Sequence, residues 1–132
     1  MDFVVDANIV FATLIQEGKN YKLLFRKEFH LFTPDYIIAE IEKHREEILT
    51  KTKRSPAEFE QVLEILKRRI TLIPMEKLIP FVEQAETLTP DPDDMAYFAL
   101  ALKLNCSLWS NDKVLKQQSR IKVYNTNEVA LL

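Results

Sequence analysis

Acidic residues stand just beyond short apolar runs at widely separated points of this chain. Asp6 follows Phe3-Val4-Val5, and Asp112 comes soon after Cys106-Ser107-Leu108-Trp109. Asp91, Asp93 and Asp94 open an apolar stretch that runs to Leu104, and Glu40 lies in Tyr36-Ile37-Ile38-Ala39-Glu40-Ile41. Carboxylates offer only oxygen, and oxygen-only donor sets select hard cations such as Mg²⁺ or Mn²⁺. At ~4 Å and an effective dielectric near ~20, a pair of like charges costs about 4 kcal/mol. A fold that gathers several acids therefore needs a cation or a raised pKa to relieve them. Each acid also has an ordinary reading. Asp6, Asp91 and Asp112 can cap helices, Asp93 and Asp94 suit the positive end of a helix, and Glu40 can be a surface residue. Asp93 is left to that reading. What single-residue explanations do not cover is that acids from four distant segments fall at one edge of the fold outlined below.

The elements that position them alternate between strand and helix. Strands are expected at Phe3–Val5, His30–Phe32, Thr71–Ile73, Cys106–Trp109 and Ile121–Tyr124. A helix begins at about Ala7, with Gly18 placed as its C-cap, and a short one covers Tyr21–Arg26. Thr33-Pro34-Asp35 reads as a helix start, with Thr33 as cap and Pro34 at the first position, followed by Ile37, Ile38, Ile41 and Ile48 on one broad face. Ser55-Pro56-Ala57-Glu58 is a capping box opening a helix that buries Phe59, Val62, Leu63, Leu66 and Ile70. Residues 76–86 form another helix, in which Pro80 is either a kink or the first turn. The helix from Asp91 is apolar almost all round and should be deeply buried; a short helix follows Asp112. Short apolar strands alternating with helices specify a parallel sheet covered on both faces, a three-layer α/β/α fold. Such sheets bind ligands beyond the carboxyl ends of their strands. Asp6 and Asp112 belong at that edge. The helix from Asp91 runs antiparallel to the strand it feeds, so its acidic start belongs there too.

Composition narrows the function. The 132 residues fit a single domain, 1–132, and 47% hydrophobic residues are enough for a core without metal or disulfide staples. A net charge of −2 argues against coating nucleic acid by charge alone. It is compatible with a nuclease, whose bound metal restores local positive potential. One glycine, Gly18, leaves no room for a Walker loop or a Gly-x-Gly-x-x-Gly turn. Cys106 is the sole cysteine, so no internal disulfide forms, and it reads as a buried, inert thiol. His30 and His44 are too far apart in sequence for a zinc spacing. No apolar run is long enough for a membrane span and the start has no signal-peptide pattern, so a cytoplasmic protein is expected.

Four segments, in order and spacing, resemble the PIN-domain family: Val4-Val5-Asp6-Ala7-Asn8-Ile9, Tyr36-Ile37-Ile38-Ala39-Glu40-Ile41, Asp91-Pro92-Asp93-Asp94 with its alanine-rich helix, and Leu108-Trp109-Ser110-Asn111-Asp112. The resemblance covers nearly the whole chain. It implies a short parallel five-stranded sheet of order 3-2-1-4-5. It also implies an acidic quartet, Asp6, Glu40, Asp94 and Asp112, that holds one or two Mg²⁺ or Mn²⁺ ions and cleaves RNA. Asp91 matches a further metal-binding acid, and Asn8 and Ser110 match polar positions that support the first and last acids. Ala7 stands where many members have Ser or Thr. Lys43 and Lys113, and beyond them Arg45, Lys51, Lys53, Arg54 and Lys116, are candidates to guide the RNA backbone. The resemblance to VapC-type toxins implies an antitoxin partner and a homodimer. A haloacid-dehalogenase-like phosphatase would need a second aspartate where Asn8 stands, and the acid pair of a receiver domain is missing. The alternative within the family is a catalytically silent PIN fold used for binding, whose signature would be loss of one or more of the acids.

Overall fold

The computed structural model describes residues 1–16, 18–89 and 91–132. Five strands, β1 (Asp2–Val5), β2 (His30–Pro34), β3 (Ile70–Ile73), β4 (Ser107–Trp109) and β5 (Val123–Tyr124), form one sheet in the order β3-β2-β1-β4-β5. All four pairings are parallel, and the sheet order and α/β class agree with the expectation. The helices are α1 (Ala7–Ile15), α2 (Lys19–Leu24), α3 (Ile37–Lys43), α4 (Arg45–Thr52), α5 (Pro56–Arg69), α6 (Ile79–Glu86), α7 (Pro92–Leu104) and α8 (Thr126–Ala130).

Strand periodicity divides the core into two layers. Alternate side chains of a strand face opposite sides of the sheet. Phe3 and Val5 accordingly join Trp109, Leu31 and the apolar faces of α1 and α5 on one side. Val4 joins Leu108, Val123 and the interior of α7 on the other. From Tyr97 to Leu102 every residue of α7 is buried, as its all-round apolar pattern requires. Among the described residues, no helix is long and apolar enough to cross a membrane.

Several local expectations are corrected. Thr33 and Pro34 end β2 rather than opening a helix. The Thr33 hydroxyl donates to the Val5 carbonyl at 3.0 Å, locking the ends of β1 and β2 together. Pro34 is tolerated because a strand terminus need not donate there. The helix that follows begins at Ile37 and breaks at His44 into α3 and α4. Gly18 is not a C-cap: α1 ends at Ile15, and Gly18 precedes α2 with a negative φ of −119°. The second helix runs over Lys19–Leu24, two residues earlier than its expected span. Ile70 belongs to β3, not to the α5 face. Pro80 stands in the first turn of α6, after a 3₁₀ turn at Met75–Leu78, so it starts a helix and does not kink one. The segment after Asp112 is a 3₁₀ turn, Lys113–Gln117. The Ser55–Glu58 capping box forms with both of its hydrogen bonds. Cys106 lies just before β4 and is half-buried; burial pushes its thiol up to about 11, which keeps it protonated and unreactive.

Candidate active site

β1 is the middle strand, and its last residue, Val5, is in register with Trp109 of β4. That register carries the next residues, Asp6 and Ser110, out of the sheet side by side. The Asp6 N–H donates to the Trp109 carbonyl at 3.0 Å, and the Ser110 N–H donates to the Tyr124 carbonyl at 3.0 Å. The Ser110 hydroxyl then donates to Asp6 Oδ2 at 2.7 Å. The Ser110 hydroxyl oxygen in turn accepts the Asp112 N–H at 3.1 Å. One buried serine thus fixes the carboxylate at the end of β1 and the backbone of the acid beyond β4. Asp6 lies at the N-cap position of α1 without a side-chain capping bond, although the Ala7 and Asn8 backbone N–H groups bear on its carboxylate.

Asp94 reaches this edge from the first turn of α7. Burial and the nearby charges of Asp91, Asp6, Asp112 and Asp93 push its carboxyl up to about 6. Asp6 is also raised: burial dominates and Asp112 adds to it, while the Ser110 bond and the Ala7 and Asn8 backbone N–H groups pull the other way. Asp91 and Asp112 do serve as caps. Asp91 Oδ1 accepts from the Asp93 N–H at 2.9 Å, and Asp112 Oδ1 from the Val114 N–H at 3.0 Å. Each spends one oxygen in this way.

Glu40, half-buried on α3, is not among the charges that shift Asp6 or Asp94. It acts instead on Tyr36, whose hydroxyl donates to that of Tyr97 at 3.1 Å. Both phenols are raised, chiefly by burial; Asp6 adds to both, and Asp93 to Tyr36. The charges of Glu40, Asp6 and Asp93 all bear on this tyrosine pair, which was missed from sequence. Their signal was present: Tyr36 precedes Glu40 by four residues and Tyr97 follows Asp94 by three, the spacings that put side chains on one helical face.

Among the described residues, none of Asp6, Glu40, Asp91, Asp93, Asp94 and Asp112 is ion-paired with a lysine, arginine or histidine. Also among the described residues, no three carboxylate, imidazole or thiol groups converge closely enough to hold an ion as they stand. Like charges with no cation between them repel, which opposes such convergence. An all-oxygen donor set, partly desolvated and without a cationic partner, fits a hard divalent ion in charge and chemistry.

The side chain of Asn8 is exposed, and no hydrogen bond joins it to Asp6 among the described residues. Of the basic residues, Arg45 is held by Glu60 and Glu42, and Lys51 by Glu47. Arg54 donates to the Leu14 carbonyl, and Lys116 is paired with Glu128. Lys43 and Lys113 are exposed and make no ion pair among the described residues.

A family model described as a PIN domain matches residues 4–130, and the chain belongs to the PIN-domain family. Its fold is similar to a chain in the crystal structure of VapBC2 from Rickettsia felis bound to a DNA fragment from their promoter. That likeness has a TM-score of 0.74 at 17% identity and covers 95% of this chain and 98% of the other. No curated protein matches the sequence.

Proposed function

We propose that this chain is a divalent-metal-dependent endoribonuclease, with Asp6, Glu40, Asp94 and Asp112 as its acidic quartet and Asp91 as a further ligand. The observation that carries this reading is the group of carboxylates at the ends of β1 and β4 and the start of α7, whose charges add to the raised pKa of Asp6 and Asp94 and which, among the described residues, have no ion-paired cationic side chain to relieve them. Membership of a family of nucleases supports the same chemistry. A bound Mg²⁺ or Mn²⁺ supplies a Lewis acid that activates water and neutralises phosphate charge. Ser110 keeps the Asp6 carboxylate and the Asp112 backbone in a fixed relation, so neither has to be ordered when the ion arrives. Asp6, Asp94 and Asp112 would be the principal ligands, with Asp91 offering its uncommitted oxygen. Exposed Lys43 and Lys113 are assigned to the RNA backbone. The fold's likeness to a chain of a VapBC2 assembly supports the toxin role in a toxin–antitoxin pair, with an antitoxin and a second copy of the chain as partners.

The test is cleavage of a labelled single-stranded RNA with Mn²⁺ against EDTA. We expect cutting only with metal, and a loss of at least ~100-fold in Asp6→Asn and in Asp94→Asn, the scale of removing a group that stabilises transition-state charge. Cutting that persists undiminished in both variants would mean that these acids do not carry it.

A further inference from the structure

Beside the acidic edge lies a cavity of about 450 Å³, within the usual size range of ligand pockets, ~300–1,000 Å³. Ser110 and Asp112 form the side it shares with the acids, and Asn111, Asn125 and Asn127 line the rest with Lys113 and Lys116. The three amides are oriented alike. Asn111 Oδ1 accepts the Thr126 N–H at 2.8 Å, Asn125 Oδ1 the Glu128 N–H at 2.8 Å, and Asn127 Oδ1 the Lys19 ammonium at 2.6 Å. Each carbonyl accepts from a donor that can bond to nothing but an acceptor, which fixes the flip of each amide. The three NH₂ groups have no acceptor among the described residues. The pocket's amides and ammonium groups therefore offer mainly donors.

We propose that this pocket is a nucleotide subsite of the nuclease, holding an RNA base next to the scissile phosphate through the base's acceptor edge. It rests on the nuclease reading above and adds a base preference to it. An asparagine reads adenine by pairing its oxygen with N6 and its nitrogen with N7. Here each amide oxygen already accepts one hydrogen bond, so the three amides face adenine's exocyclic amine mainly with their NH₂ groups. Guanine, with O6 and N7, and uracil, with its carbonyl oxygens, match the array. Lys113 is placed to meet the adjoining phosphate.

The experiment is anisotropy of labelled single-stranded guanine/uracil and oligoadenylate RNAs with the full chain in EDTA, where metal-dependent cutting is off. The variant is Asn125→Asp with Asn127→Asp. Aspartate keeps the oxygen that caps α8 and the oxygen that holds Lys19, and replaces each NH₂ donor by a charged oxygen that weakens all RNA alike, so the base preference is the deciding readout. The melting temperature should stay close to that of the parent. We expect the guanine/uracil RNA to bind the parent ~10-fold more tightly than oligoadenylate, the scale of one well-placed base contact. The double variant should lose that preference and most of the affinity. Equal binding of the two RNAs by the parent, no binding of either, or a preference unchanged in the variant would overturn the proposal. Metal-dependent cutting without any base preference would overturn the subsite alone. A base preference in a chain that cuts nothing with Mn²⁺ would overturn the nuclease reading and leave the subsite standing.

Discussion

Replacing Asp94 by asparagine should make the metal-free protein more stable, not less, by an amount that grows from about pH 4 and levels off above about pH 6. The carboxyl of Asp94 is pushed from its usual 3.8 up to about 6, by burial first and then by the charges of Asp91, Asp6, Asp112 and Asp93. At 1.36 kcal/mol per pH unit that rise corresponds to roughly 3 kcal/mol. Asp94 is only half-buried, and solvent screening reduces the expected figure to about 1 kcal/mol. The sign follows from linkage. The folded protein holds the proton more tightly than the unfolded chain, so this contribution to stability is complete below about pH 4 and is lost as pH rises through about 6. Asparagine cannot ionise and does not suffer that loss. Thermal melts in EDTA at pH 5 and pH 8 should show Asp94→Asn ~2–5 °C above the parent at pH 8, and the gain should shrink at pH 5. Millimolar Mn²⁺ should reverse the order at pH 8, because the parent gains binding energy that the variant largely forgoes. A variant that is less stable than the parent in EDTA at pH 8 would refute the claim that this carboxylate is held under electrostatic strain.

Three further outcomes are expected. Ser110→Ala removes the hydroxyl that serves both Asp6 and Asp112, and should cost about 1–2 kcal/mol in urea unfolding and weaken the Mn²⁺-induced rise in melting temperature. Arg69, at the end of α5, donates to the carbonyls of Leu24, Arg26 and Phe29; Arg69→Ala should cost about 2–3 kcal/mol, with Arg69→Lys recovering only part because an ammonium lacks the planar fork. Phe59→Ala should be the most damaging of the set, about 3–5 kcal/mol by the same assay, since the ring is fully buried in the core layer under α1 and α5.

The sheet could be read from the sequence because its strands are short apolar runs bounded by polar residues, and parallel pairing follows from the helices between them. Local signals that serve two purposes misled. Thr33-Pro34-Asp35 satisfies every rule for a helix start, yet Thr33 is drawn to the Val5 carbonyl and the strand wins. Gly18 suggested a left-handed cap, but the chain adopts that conformation at Lys53 and Asn105 instead. Helix α8 went unforeseen although Asn125 and Glu128 form a complete capping box, because five residues carry too little periodicity to see. At the site, the positions of Asp6 and Asp112 followed from where strands end. The dual role of Ser110 did not, since it depends on a register between residues 104 apart. Glu40 shows the same limit: spacing puts Tyr36 on its helical face, but the bond from Tyr36 to Tyr97, 61 residues away, was visible only in three dimensions.

The central strand is made before β4, the neighbour that completes one of its flanks, which follows roughly a hundred residues later. Until β4 docks, Asp6 has no hydroxyl to orient it and Asp112 has not been synthesised. A nascent chain in which β4 has not yet docked therefore lacks the hydrogen-bonded Asp6–Ser110–Asp112 group.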